Sequence, residues 1–551
     1  RGLLDFVRGR TFFTGICFIL CFTLVAIRLV DVMVLHGLSG SEIVAKQGRK
    51  AGRADILDRN GAVLATHLVT GSVYANPTQI LNPEEAAKKL ITVFPELNYD
   101  TLLSRLTAAA KSKFMWIARH VSPKNQQAVN QLGVPGVYIL QDSHRMYPHG
   151  PLFSHILGFS GIEGDGLAGV ERYFDKRLKE DPTPLVLSLD MRVQHIVHDE
   201  LVNAIDKFSA KGANAMVMDM ATGEIVAMVS LPDYDPNLPN HTPPEAAFNR
   251  NTLAVNEPGS TFKIINTAIA LESGCATLTS VYDATHPLRV GRFTIPDFKG
   301  QKRPLTVQEA FKYSSNIANA KMALHFGSDL QQKFLKIFGM FDTPEIELSE
   351  IGGPLLPKVW RTATTITVSY GYGISVSPLQ LILGVGSIIN NGQRLRATLQ
   401  RLDAPLETES DRVVSPRTSK QMRDLMRLAV TDGTVKLANV AGYDVIGKSG
   451  TAHLIKGRGY ATSAKRTTFI GAFPHKKPRY ILIVMLDDPQ PLKETHGYST
   501  AGWNSVPTAG NIISRMAPVL GVKPVDNEND SQFSNDIVDI KHVDTDFITV
   551  E

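Results

Sequence analysis

One stretch near the start limits every fold open to this chain. Thr11 to Ile27, TFFTGICFILCFTLVAI, carries no charge, and RLVDVMVL continues the apolar character to Leu35. Away from water such a run must satisfy its own backbone polar groups, and for a single segment only a helix does so. A helix over Phe12–Leu35 would rise about 36 Å, enough to span a bilayer. Arg1, Arg8 and Arg10 precede it, so residues 1–10 are expected in the cytoplasm and everything past His36 on the far side. The competing reading is a cleaved signal peptide. The run is too long for one, and no Ala-x-Ala-like site follows. Near the outer end Arg28 and Asp31 pair, snorkel to the headgroups or meet a neighbouring protein.

The 551 residues exceed what one core supports, so two or more domains are expected. The net charge of +5 hides an acidic end: residues 526–551 hold eight acids and one base, with no helical or strand period, and read as disordered. The body is therefore more basic than the whole. That suits an anionic membrane or wall, while no zinc-finger spacing or interleaved Arg/aromatic run points to nucleic acid. The three cysteines form no framework, and the fifteen histidines show no paired ligand spacing, so neither a metal nor any other cofactor is expected.

Along the chain, GRADILDRNGAVLAT reads as a hairpin around Asp58-Arg59-Asn60-Gly61. PEEAAKKLITVF and SPKNQQAVNQLG read as helices. A second region opens near Leu185 with PLVLSLD as a strand and MRVQHIVHDELVNAIDKF as an amphipathic helix. NAMVMDMATGEIVAMVS follows as a hairpin around Ala221-Thr222-Gly223. TTFIGAFP and RYILIVMLD look like paired strands near the far end. Strands at both ends with helices between predict an α+β layer fold whose sheet joins the two ends of the region.

Three short clusters carry the chemistry. In EPGSTFK, Pro258-Gly259 breaks structure, and STFKIINTAIALESG has helical spacing, so Ser260 opens a helix with Lys263 one turn on. Taken alone, this reads as a capping serine and a solvated lysine. FKYSSNIANAKMAL holds Ser314-Ser315-Asn316 at a helix start, and VIGKSGTAHL holds Lys448-Ser449-Gly450-Thr451 on a strand. The order Ser-x-x-Lys, Ser-x-Asn, Lys-[Ser/Thr]-Gly is the motif set of penicillin-binding proteins and serine β-lactamases. Such chemistry needs these residue types. A serine hydroxyl requires a base, and Lys263 serves if burial and a second cation, Lys448, lower its pKa. Ser314 can relay the leaving-group proton, and Asn316 can hold a substrate amide. Backbone N–H groups of Ser260 and Thr451 would face the oxyanion, and Gly450 lets substrate pass close.

Nearly all of residues 11–520 resembles a class B, high-molecular-weight penicillin-binding protein. RADILDRNG, RMYP, GVERYFD, MVMDMATGEIVAMVS, DYDPN and FNRNTLAVNEPGSTFK are similar to that family's recurring stretches. The resemblance implies a single transmembrane helix over 11–35, an elongated pedestal over 36–184 and a penicillin-binding/serine β-lactamase-like transpeptidase domain over 185–520, with the acidic tail after 521. It implies peptidoglycan stem peptides as substrate, an acyl-enzyme at Ser260, and β-lactams as covalent inhibitors. YGYGISVSPLQL, residues 370–381, is more like the septal branch than the elongation branch, the alternative. The septal branch implies a polytopic glycan polymerase and other division proteins as partners, at the bacterial inner membrane with the catalytic domain periplasmic. Two departures stand out. Ser449 replaces a frequent threonine, and THGYSTAGWNSVPTAG is longer and richer in Gly/Ser than such a cleft wall leads one to expect.

A distant alternative is a P-loop NTPase, since Gly442 to Ser449 fits G-x-x-x-x-G-K-[ST]. A P-loop follows a strand and opens a helix. Here strand-like Tyr443–Ile446 falls inside the supposed loop.

Overall fold

The computed structural model describes residues 19–25, 53–109, 112–291, 293–402, 411–456 and 459–525. Residues 19–25 are helical with Ile19, Leu20, Phe22, Leu24 and Val25 exposed. The rest of the expected span over 11–35, and the acidic stretch from 526, lie outside the described residues. Among the described residues no helix is long and apolar enough to cross a membrane.

Contacts divide the chain into two units, one containing His67–His144 and the other Ala54–Thr66 with the chain from Arg145 onward. Residues 54–66 and 145–184, grouped by sequence with the amino-terminal region, cluster with the larger unit. In the smaller unit, residues 71–75 of the strand Val63–Ala75 pair antiparallel with the strand Met115–Val121, and the strand Val137–Met146 also pairs with Val63–Ala75. Helices Pro83–Val93, Tyr99–Ala108 and Pro123–Leu132 bury Leu90, Leu102, Leu106 and Val129 with Val73 and Ile117. Asn82, Asn98 and Ser122 cap them, each accepting from a first-turn backbone N–H.

The larger unit is built on a five-stranded antiparallel sheet. Its strands are β1 (Gly212–Asp219), β2 (Ile225–Leu231), β3 (Ile446–Lys456), β4 (Gly459–Phe473) and β5 (Tyr480–Asp487), in spatial order β3-β4-β5-β1-β2. β5 pairs with β1 from Tyr480↔Asp219 to Asp487↔Gly212, so the sheet joins the two ends of the region as expected. β1 and β2 are buried throughout, which explains why they read as continuous apolar runs and not as alternation. The helices are α1 (Met191–Phe208), α2 (Lys263–Glu272), α3 (Asn316–Ile337), α4 (Pro378–Ile389), α5 (Pro416–Thr431) and α6 (Ser505–Val519). α1 and α6 pack together on the sheet, and α2, α4 and α5 form a second cluster around α4. α4 is apolar on every side and wholly buried from Pro378 to Ile382, opened by a Ser377/Gln380 capping box.

The turn between β1 and β2 is fixed by Asp219, whose carboxylate accepts from Ala221 N at 2.8 Å. Gly223 follows at φ +77°, and a Cβ there would lie 1.9 Å from the Arg396 carbonyl oxygen, so no side chain fits. The hairpin at Asp58–Gly61 forms as read, with Leu57 opposite Val63 and Gly61 at φ +88°. PLVLSLD is only partly a strand. Leu185–Val186 pairs with Ile56–Leu57, and the run then ends because Asp190 caps α1, accepting from Arg192 N at 3.0 Å.

RMYP and GVERYFD meet in the core. Arg145 Nε donates to Glu171 Oε1 at 2.6 Å, Arg145 Nη1 to the Ala54 carbonyl at 2.9 Å, and Tyr147 OH accepts from Ser160 N at 2.9 Å. Both charges are buried, so deleting one leaves the other uncompensated. Glu171→Ala should destabilise the larger unit by about 3–5 kcal/mol in chemical denaturation. A loss under about 1 kcal/mol, the range of a surface pair, would contradict this account.

Candidate active site

Ser260 lies in a 3-10 turn, Gly259–Phe262, and α2 begins only at Lys263. Phe262 takes the cap position of α2, so Ser260 does not cap the helix; the Pro-Gly pair ahead of Ser260, with Gly259 at φ +55°, tightens the entry into a 3-10 turn. Two neighbours seat that turn. Gly259 N donates to the Gly371 carbonyl at 3.1 Å, and a Cβ on Gly371, at φ +87°, would stand 2.0 Å from the Gly259 oxygen. Glu257 Oε1 accepts from Gly373 N at 2.8 Å. The glycines of YGYG therefore let that loop press against the Ser260 turn. On the other side a Cβ on Gly450 would lie 3.0 Å from Pro258 O and from Thr261 Cγ2. Gly450 thus brings β3 against the same turn.

Lys263 is fully buried at the start of α2. Its Nζ lies 2.6 Å from the Ser314 carbonyl, 3.1 Å from Ser314 Oγ and 2.7 Å from Asn316 Oδ1. Lys448, on β3 and also fully buried, donates to the same Ser314 Oγ at 2.9 Å and to the Ser449 carbonyl at 3.2 Å. Phe311 lies beneath its ammonium, 6.0 Å from nitrogen to ring centroid. Burial, then the nearby Lys448 charge, hold the Lys263 amine well below an ordinary lysine, with Asp297 pulling weakly the other way. Burial alone pushes Lys448 down to about 7.

As a neutral amine Lys263 has two N–H donors and one lone pair. The Ser314 carbonyl and Asn316 Oδ1 can only accept, so they take the two donors. The lone pair is left for a hydroxyl proton. The four residues Lys263, Ser314, Asn316 and Lys448 are thus brought into one bonded group, with the Ser260 turn and Gly450 packed beside it. Ser449 follows Lys448 along β3, and Thr451 Oγ1 accepts from Ala501 N at 3.1 Å, tying β3 to the loop before α6. Lys448 stands on a strand that continues to Lys456, with no helix opening after it, which excludes the P-loop geometry.

The spacing of motifs does not point to Asp297. Its Oδ1 accepts from Asn316 N at 2.5 Å and Ile317 N at 3.0 Å, and its Oδ2 from Ser315 Oγ at 2.7 Å. Ser315 in turn caps α3, accepting from Ala318 N at 3.0 Å. Between them they hold Ser314 at φ +57°, a backbone state a serine rarely adopts. An acid beside a helix N-terminus was the available signal, but it sits far upstream in sequence.

The penicillin binding protein transpeptidase domain matches residues 213–513, and the penicillin-binding protein dimerisation domain matches 49–181. A probable peptidoglycan D,D-transpeptidase FtsI of Caulobacter vibrioides is 34% identical over 490 residues, covering 87% of this chain and 83% of the relative. Peptidoglycan D,D-transpeptidase FtsI of Escherichia coli K12 is 29% identical, covering 86% and 84%. The structure of penicillin binding protein 3 from Mycobacterium tuberculosis, complexed with aztreonam, superposes with a TM-score of 0.68 at 22% identity, covering 86% of this chain and 98% of that one. That likeness shows the fold.

Asp297→Ala would leave three donors at the α3 start without their acceptor. Labelling of Ser260 by a penicillin should fall about tenfold or more, by loosening Ser314. Asp297→Asn, which keeps an acceptor, should fall less. Equal and small losses in both would show that the capping carboxylate has no bearing on the site.

Proposed function

The chain belongs to the penicillin-binding protein transpeptidase family, and from that premise we propose that it crosslinks peptidoglycan stem peptides as a serine D,D-transpeptidase during septum formation, and that β-lactams trap it. The single observation that carries the reading is the Ser314 hydroxyl bonded by two buried lysines, Lys263 at 3.1 Å and Lys448 at 2.9 Å.

In this reading neutral Lys263 takes the Ser260 proton as Ser260 Oγ attacks the carbonyl of the penultimate D-alanine. The C–N bond breaks, and the proton passes through Ser314 to the departing D-alanine amine. An amine of a second stem then attacks the ester carbonyl, and its proton returns through Ser314 and Lys263 to Ser260 Oγ as the C–O bond breaks. Ser260 and Thr451 N–H groups face the oxyanion, Asn316 holds a substrate amide, and Lys448 supplies positive charge, with Ser449 and Gly450 lining the strand that receives the peptide. No cofactor enters.

The finer assignments rest on sequence. The apolar run over 11–35 supports a single pass of the inner membrane, with 1–10 cytoplasmic and the catalytic domain periplasmic. Residues 36–184 then serve as pedestal, 185–520 as transpeptidase domain and 521–551 as tail. YGYGISVSPLQL supports the division branch, with a polytopic glycan polymerase and other division proteins as partners.

Peptide mapping of a penicillin adduct should place the added mass on the Ser260 peptide, and Ser260→Ala should take up none; label elsewhere ends the assignment. The labelling rate should be bell-shaped in pH. Lys263 must be neutral, which gives the rising limb. Lys448, protonated below about 7, loses its charge as pH rises through that value and gives the falling limb. Lys448→Arg, which keeps its charge, should remove the falling limb, and an unchanged profile would count against an electrostatic role. Depleting the protein in its host should give filaments with unfinished septa. Rounded cells that still divide would indicate the elongation role instead.

A further inference from the structure

The segment from Thr495 to Trp503, longer and richer in Gly/Ser than expected, folds into an aromatic knuckle. Tyr498 stacks on Trp503 with ring centroids 6.5 Å apart and planes 5° from parallel, and His496 meets the Trp503 edge at 5.4 Å. Tyr498 N donates to the Thr495 carbonyl at 2.9 Å. Ala501 N donates to Thr451 Oγ1 at 3.1 Å, which moors the knuckle to β3, the strand that carries Lys448.

Lys299 comes from the opposite wall. It is two residues past Asp297, whose carboxylate holds Ser315 and Asn316, so the two Cα atoms are at most about 7 Å apart. The Lys299 ammonium stands 4.9 Å from the Tyr498 ring centroid. Among the described residues it has no carboxylate partner, and the ring is the contact it makes. The cation and the ring thus join the wall built on α3 to the wall built on β3. Ser314, in the turn before α3, and Lys448, on β3, meet across the same two elements.

We propose that Lys299 and Tyr498 form a strap across the mouth of the cleft, and that this strap selects acyl donors by their bulk next to the reactive carbonyl. The proposal rests on the transpeptidase reading. A cation over a partly exposed ring is a weak contact, so a ligand can part it. A slender extended peptide passes with the strap nearly closed. A ring or branch close to the carbonyl has to break it first, and acylation slows by the factor the contact is worth. Lysine suits the task, since its flexible stem lets the ammonium leave the ring and return.

Two penicillins with one nucleus test this on the full chain in detergent: benzylpenicillin, with a slender side chain, and methicillin, with a substituted ring directly on the amide. The measured quantity is the ratio of their second-order labelling rates at Ser260, in which any loss of folded protein cancels. Lys299→Met and Tyr498→Leu should each raise the methicillin-to-benzylpenicillin ratio about threefold or more. Lys299→Arg and Tyr498→Phe keep cation and ring and should hold the original ratio. An unchanged ratio in both Lys299→Met and Tyr498→Leu overturns the strap, as does a shift in Lys299→Arg equal to that in Lys299→Met. If neither penicillin labels the unaltered chain, the transpeptidase reading itself fails, and the strap with it.

Discussion

Two lysine amines meet on one serine hydroxyl inside the protein, and the rest of the larger unit can be understood as the means of keeping them there. Both bond Ser314 Oγ, at 3.1 and 2.9 Å, so they are no more than about 6 Å apart. At an effective dielectric near 20, two positive charges at that distance repel by about 3 kcal/mol, and burial penalises each charge further. Burial, and then this repulsion, lower the Lys263 pKa well below that of an ordinary lysine. The same conflict favours a neutral amine, which carries the lone pair that a base needs. A looser fold would let the two amines separate and regain ordinary lysine behaviour.

Holding them takes three separate pieces of chain. α2 brings Lys263, the turn before α3 brings Ser314, and β3 brings Lys448. Each is fixed by a local device: the Pro258-Gly259 break, the Asp297 and Ser315 caps, and pairing of Lys448 opposite Ile470 on β4. Glycines then remove the remaining distance. Gly371 and Gly450 bring the YGYG loop and β3 against the Ser260 turn, where any side chain would hold them apart.

Much of this was legible in the sequence because it is local. α1 matches the read helix, since its apolar stripe at Val193, Ile196, Val197 and Leu201 follows the helical period and Asp190 marks its start. The three motif clusters were legible because each puts its residue types within one turn or one strand. What escaped is long-range or sterically subtle. Asp297 acts on residues 18 to 20 places later, and nothing at position 297 announces the partner. The 3-10 turn at Ser260 arises from packing against the Gly371 and Gly450 backbones, which helical periodicity cannot report. The strands Met115–Val121 and Val137–Met146 were missed because their outer faces mix aromatic and charged residues and blur the alternation.

The pairing of β5 with β1 sets a timetable for folding. Asp219 must wait for Tyr480, some 261 residues later, before that edge of the sheet is covered. At about 5–20 residues per second of synthesis the delay is on the order of ten to fifty seconds. Throughout it the β1–β2 hairpin, apolar on both faces, presents an unpaired strand edge. Closure also depends on a contact of very high sequence separation, the kind that makes folding slow. The nascent chain therefore needs either a binding partner for that hairpin or dilution from its own copies until β5 arrives.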